Sequence, residues 1–282
     1  MSEFEPWDAL ERSARARWTA CGDVQMIWRL WGSGEPLILL HGGAGSWLHW
    51  FRVIPALSAR RLVIVPDLPG LGSSALPPAG ADGPELAAIL LAGLAQVLGP
   101  EVAYDLAGFS FGGVLAGLMA ATAPAGTARS LTLVGSGGLG VIRGTVSLVR
   151  VRDKSGFERA QAHRTNLSRW MIADPGRIDD LAVAIQDWNS HRARFDSRPI
   201  GTSNVLLAAL PGLRIPVTGI WGGHDHAVEG RPERAEAVLR RLCPGLAFTV
   251  IPDAGHWVAH EAPDAFAGCL VNALSPFGPP CS

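Results

Sequence analysis

Residues 106–117 read LAGFSFGGVLAG, a lone serine with a glycine two positions away on either side. Apolar residues lead into it through VAYDLAGF (102–109), which reads as a buried strand. Small residues follow in GGVLAGLMAATAP (112–124), which reads as a helix. An ordinary glycine–serine loop before a helix is one reading. The other is a nucleophile elbow, because G-F-S-F-G (108–112) fits G-x-S-x-G. In that motif a strained strand-to-helix turn keeps the Ser110 Oγ exposed, and only small residues two before and two after let the turn close. The Phe111 N–H then lies near a helix N-terminus, where it can point at a developing oxyanion.

Working outward, VQMIWRLWG (24–32), PLILLHG (36–42) and RLVIVPD (61–67) read as strands, the last a continuous apolar run suited to a sheet covered on both faces. DGPELAAILLAGLAQVL (82–98) reads as a helix capped by Asp82 with Pro84 in its first turn, and SLTLVGS (130–136) reads as a further strand. This βαβ rhythm predicts an open α/β sheet. It breaks between Gly137 and Leu210, where GFERAQAHRTNLSRWMIAD and RIDDLAVAIQDWNSHRARF read as amphipathic helices on either side of Asp174-Pro175-Gly176. Strand patterns resume with IPVTGIWG (215–222) and LAFTVIPDAG (246–255). The expected organisation is a core of residues 1–136 and 211–282 with a helical lid, 137–210, over the carboxyl edge of the sheet.

Composition narrows the function. The 282 residues are 48% hydrophobic and 17% charged, enough for a sizeable core and against disorder. Lys plus Arg total 24 against 25 Asp plus Glu, so nothing electrostatic favours nucleic acid or an acidic membrane surface as a partner. Cys21, Cys243, Cys269 and Cys281 form no C-x-x-C pair, which argues against a disulfide framework or a zinc site. The N-terminal stretch is charged and has no signal-peptide core, and the apolar run 86–99 is too short to span a bilayer. A reduced, cytoplasmic, soluble protein acting on a small molecule is expected, with self-association left open.

A serine is a poor nucleophile until a base takes its proton. His256, in IPDAGHW, lies on the loop after the last strand, and Asp225, in GIWGGHDHAV, on the loop after the preceding one. The order Ser110, Asp225, His256 is the one expected when the serine sits on such an elbow. Asp253 and Glu261 are alternative acids, but Asp253 would have to fold back from three residues before the base. His41, in LLHGGAG, follows another strand and reads as a brace for its loop, with Gly43 placed to give a second oxyanion N–H. HDH (224–226) has metal-ligand residue types, yet three adjacent loop residues do not readily face one ion, so no metal and no cofactor are expected.

HGGAG, DLPGLGSS (67–74), GFSFGG, WGGHD and AGHWVAHEAPDAF (254–266), in that order, resemble the α/β-hydrolase superfamily over nearly the whole chain. The resemblance implies an eight-stranded, mostly parallel sheet with a helical cap inserted after strand six. It implies Ser110 as nucleophile, His256 as base, Asp225 as orienting acid, and Gly43 and Phe111 as oxyanion donors. A serine at the elbow argues against the dehalogenase and epoxide-hydrolase branches, whose nucleophile is usually aspartate.

Within the superfamily, GHW (255–257) and NLSRWMIADPGRIDDLAV (166–183) are similar to the capped hydrolases that cleave carbon–carbon bonds in aromatic ring-fission products. Two departures favour an ester or other neutral acyl substrate. Phe109 stands where that group has asparagine, and Gln186 falls where its lid arginine is expected, with Arg192 and Arg194 close by. Phe109, Trp47, Trp257 and Arg192 are the candidate substrate contacts. Aromatic residues near a helix start, such as Trp47 and Trp50, more often belong to a core, and arginines such as Arg164, Arg169, Arg192 and Arg194 more often form solvated lid faces. The reading from another class is a catalytically silent receptor for a small ligand on the same fold.

Overall fold

The computed structural model describes residues 5–141 and 146–274. Cys281, the ends of the expected core and four residues of the expected lid lie outside them. The strands are β1 (Arg15–Cys21), β2 (Val24–Trp31), β3 (Pro36–Leu40), β4 (Leu62–Pro66), β5 (Tyr104–Phe109), β6 (Ala128–Val134), β7 (Val217–Gly222) and β8 (Ala247–Ile251). They form one eight-stranded sheet in the order β1-β2-β4-β3-β5-β6-β7-β8. β2 pairs antiparallel with β1 and β4, and every other pairing is parallel.

Why the central strands are apolar throughout follows from their burial. β3 and β5 are buried along their whole length, and alternate residues serve opposite faces. Ile38, Leu40 and Leu106 join one hydrophobic cluster, while Leu37, Leu39, Ala107 and Phe109 join the other. Each fully buried leucine or isoleucine contributes about 1.5–3 kcal/mol, so the two faces together are the main source of stability. β1 escaped the sequence reading for the converse reason. Its RARWTAC is exposed at five of seven positions, an edge strand whose regularity comes from pairing with β2 rather than from an apolar pattern.

The helices are α1 (Asp8–Ser13), α2 (Ile54–Ser58), α3 (Gly83–Leu98), α4 (Phe111–Thr122), α5 (Gly156–Trp170), α6 (Asp180–Arg192), α7 (Arg198–Gly201), α8 (Leu206–Ala209), α9 (Glu233–Leu242), α10 (Val258–Glu261) and α11 (Pro263–Ala273). Asp82 caps α3 as expected, in a reciprocal box with Glu85 at 3.0 and 2.9 Å. Among the described residues between β6 and β7 there is no strand. That segment consists of α5 to α8 with short 3-10 turns and loops. No helix among the described residues is long and apolar enough to cross a membrane.

Candidate active site

Ser110 joins β5 to α4 with φ 53° and ψ −112°, a conformation that costs a residue with a Cβ about 1–3 kcal/mol. The surroundings hold it there. Its N–H donates to Val134 O at 2.9 Å, and its carbonyl accepts from Gly113 and Gly137 N–H at 3.1 Å each. The flanking glycines are required by contact, not by φ. A Cβ on Gly108 would collide with the Gly112 carbonyl, and one on Gly112 with the carbonyls of Leu40 and His41. The turn therefore closes only with glycine at both positions, and Ser110 is left half-buried at the strand end.

His256 and Asp225 meet although 31 residues separate them. The His256 Nδ1–H donates to both carboxylate oxygens at 2.9 Å, and both side chains are buried. Ala227 N–H holds Asp225 Oδ1 at 2.8 Å. Gly135, with φ 50°, leaves room for the pair, since a Cβ there would lie 3.1 Å from both Asp225 Oδ2 and His256 Nδ1. With its proton on Nδ1, the imidazole presents Nε2 as a bare acceptor, and this atom is buried without a hydrogen-bond partner. His224, next to this carboxylate in sequence, is exposed.

The loop after β3 supplies the other face. His41 uses both ring nitrogens internally, donating from Nδ1 to Gly42 O at 2.8 Å and accepting Leu68 N–H on Nε2 at 2.9 Å. Burial pushes its imidazole down to about 4, so it is a neutral brace at pH 7. His49 accepts Gly42 N–H on Nδ1 at 3.2 Å, and burial, followed by the neighbouring histidines, holds it well below the ordinary histidine range. Gly43 N–H has no protein acceptor among the described residues. Phe111 N–H, at the first turn of α4, lacks an intrahelical acceptor. A Cβ built on Gly43 would sit 3.7 Å from the Phe111 Cβ, so these two backbone segments are neighbours.

Ser110, Phe111, Gly43 and His256 line one cavity of about 570 Å³. Its apolar wall includes Phe109 and, from the segment between β6 and β7, Leu167, Trp170 and Met171. The Phe109 and Trp170 rings lie 4.9 and 5.7 Å from that of His256. Gln186, Ser197 and Arg198 add polar groups, and Arg198 is bound in a two-pronged pair to Asp196 at 2.8 Å.

Three of the four expected substrate contacts lie elsewhere. Trp47 is fully buried in the core, its ring 5.4 Å from Trp31 and under the Arg29 guanidinium. Trp257 does not line the cavity, because its Nε1–H is spent on His49 O at 2.8 Å and its ring stacks on His260. Arg192 is exposed and lies over Trp188, its guanidinium 4.0 Å from the ring centre. Arg164, Arg169 and Arg194 bind Ile178 O, Ser147 O and Ser74 O. Phe109 is the expected contact that does face the cavity.

The alternative acids separate as clearly. Asp253 is exposed. Glu261 is buried, but its carboxylate accepts backbone N–H groups from Ala173, Asp174 and Gly255 at 2.7–3.0 Å, tying the end of α5 to the residue before His256. Sequence reasoning missed His49, Trp170, Ser197 and Arg198. Only Trp170 carried a usable signal, since Leu167, Trp170 and Met171 stand at i, i+3 and i+4 on one helical stripe.

Residues 37–268 match the model of the alpha/beta hydrolase family, and the chain belongs to that family. Several of its relatives and structural neighbours are hydrolases. It is 33% identical over 254 residues to the dihydrolipoyllysine-residue acetyltransferase component of an acetoin cleaving system from Pseudomonas putida, covering 81% of this chain and 60% of that longer protein. It is 27% identical over 264 residues to 2-hydroxy-6-oxo-6-phenylhexa-2,4-dienoate hydrolase of Burkholderia cepacia, covering 86% and 89%. In three dimensions it is similar to the esterase RhEst1 from Rhodococcus sp. ECU1013, with a TM-score of 0.77, 24% identity, and 94% and 100% of the two chains covered.

Proposed function

We propose that this protein is a hydrolase, a cofactor-independent serine esterase acting on a small, neutral, apolar or aromatic carboxylic ester, with residues 137–210 as the cap over its site. The observation that carries the reading is the convergence on one cavity of Ser110 at a strained strand end and of His256, whose Nδ1–H is held by Asp225. His256 Nε2 takes the Ser110 proton as Oγ attacks the ester carbonyl. The Gly43 and Phe111 N–H groups hold the oxyanion, one such donor being worth about 3–4 kcal/mol of barrier. The protonated imidazole, stabilised by Asp225, then protonates the leaving alkoxide. Water, deprotonated by the same Nε2, attacks the acyl-serine and releases the acid.

The neutral substrate follows from the cavity wall. Arg198 is its cationic side chain of fixed charge among the described residues, and Asp196 already neutralises it. A second reading, hydrolysis of a carbon–carbon bond in a ring-fission diketone, is favoured by the similarity to the Burkholderia cepacia enzyme. There His256 would first assist the substrate's tautomerisation. The test is kcat/KM on a short aryl ester and on a ring-fission diketone, with Ser110→Ala as control. Ester turnover that needs Ser110 and exceeds diketone turnover supports the esterase. The reverse selects the second reading, and binding of either without turnover selects a receptor.

A further inference from the structure

We infer that Ser197 is a third hydrogen-bond donor to the oxyanion, contributed by the loop between α6 and α7 across from the elbow. The inference rests on the serine-esterase reading.

Ser197 directly precedes α7, the position at which a serine hydroxyl normally accepts a hydrogen bond from an N–H of the first turn. This one does not: its φ of −77° and ψ of −9° are helical, and its side chain makes no cap bond. Among the described residues the hydroxyl has no other protein partner, although the residue is only 8% exposed. A hydroxyl that no protein group engages is free to donate to a group bound beside it. The side chain lines the cavity shared by Ser110, Phe111 and His256.

Its position within the cavity is specific. A Cβ placed on Gly43 would collide with Ser197 Oγ, so the hydroxyl rests against the Gly43 Cα. The same Cβ would be 3.7 Å from the Phe111 Cβ. Ser197 Oγ and Phe111 thus both lie where a Gly43 Cβ would point, and the left-handed neighbour Ala44, with φ 46°, carries the loop onward. Gly43 itself has no positive φ. The approach of Ser197 supplies a steric reason for glycine at this position. Neighbouring Asp196 and Arg198 clamp each other at 2.8 Å, and Gly201 N–H donates to the Ser197 carbonyl at 2.8 Å, which fixes the backbone carrying the hydroxyl. A hydroxyl beside the two N–H donors strengthens its bond as charge develops on the carbonyl oxygen, which is transition-state rather than ground-state binding.

The experiment compares wild type, Ser197→Ala and Ser197→Thr on a short aryl ester, and measures Ki for an aryl trifluoromethyl ketone that forms a hemiketal oxyanion with Ser110. Ser197→Ala is expected to lower kcat roughly 10- to 100-fold with KM little changed, and to raise Ki by the factor lost from kcat/KM. Ser197→Thr, which keeps a hydroxyl, is expected to recover most of both. Unchanged kcat in Ser197→Ala, a change confined to KM, or a fall in kcat without weaker ketone binding would each overturn the inference. Wild-type turnover that does not depend on Ser110 would instead overturn the esterase reading, a result visible before any Ser197 variant is assayed.

Discussion

The two sides of the cavity are built differently. On the side made by loops at the strand ends, most polar groups are already committed to one another. His41 has both nitrogens engaged, and Asp67 accepts from Trp47 N–H, Ser73 N–H and Arg29 at 2.9–3.0 Å. What stays open there, among the described residues, is Ser110, the Nε2 atoms of His256 and His49, and the Gly43 and Phe111 N–H groups. On the side made by the segment between β6 and β7, Leu167, Trp170 and Met171 present apolar surface, with Asn166, Gln186, Ser197, Thr202 and the mutually paired Asp196 and Arg198 as polar points in it. Under the proposed esterase reading, the difference assigns rigidity and reaction chemistry to the strand-end loops, and substrate shape mainly to the helical segment. Ser197 is the one group by which the second side would enter the reaction.

That division can be broken by substitution. The largest effect belongs to the strand-end side: Ser110→Ala is expected to reduce kcat by roughly 10⁴- to 10⁶-fold, and Asp225→Asn by about 10⁴-fold through the wrong His256 tautomer, both read from steady-state kinetics. Retention of more than a tenth of wild-type turnover in either would remove these residues from the reaction.

Glu261→Ala comes next, at the seam between the sides. It strips three backbone N–H groups of their acceptor and is expected to cost roughly 2–4 kcal/mol in urea unfolding. A loss below 1 kcal/mol would mean that the seam is held by other contacts.

Acid stability sharpens the view of the brace. His41 lies at about 4 in the folded protein, below its unfolded value near 6.5, so the unfolded chain binds the extra proton first. Its contribution is therefore full above pH 6.5 and is lost as pH falls towards 4, by up to about 3 kcal/mol. His260, also lowered to about 4 by burial, acts in the same sense. In thermal melts His41→Gln should be less stable at pH 7 but show a shallower fall between pH 6.5 and 4. Equal slopes would contradict the neutral-brace assignment.

The smallest expected effects lie on the helical side. Trp170→Ala should raise KM for an aryl ester about 10-fold with a lesser change in kcat, whereas Arg192→Ala should leave both within about twofold. A larger effect from Arg192 would mean that it reaches substrate when one is bound.

How much of this was legible beforehand depends on the distance over which each feature is decided. The strands and helices around the elbow, the Asp82 cap, and the glycines at 108 and 112 are local, because covalent geometry and side-chain periodicity act over a few residues. The pairing of Asp225 with His256 was legible through chain order, since parallel strands deliver their following loops to one edge of the sheet. The edge strand β1 carried no apolar pattern, so only its pairing with β2 revealed it. The tryptophans show where a single chain stops speaking. Trp47, Trp170 and Trp257 are equally apolar, and only the packing of remote segments sends the first and last into the interior and the second into the cavity. Likewise Glu261, an acid by type, became a backbone acceptor because the turn after α5 brought it N–H groups 87 and 88 residues away. Sequence alone determined which reactive groups the sheet edge would carry. The tertiary structure decided which of the remaining side chains face them, because burial and contact are properties of surfaces that meet only on folding.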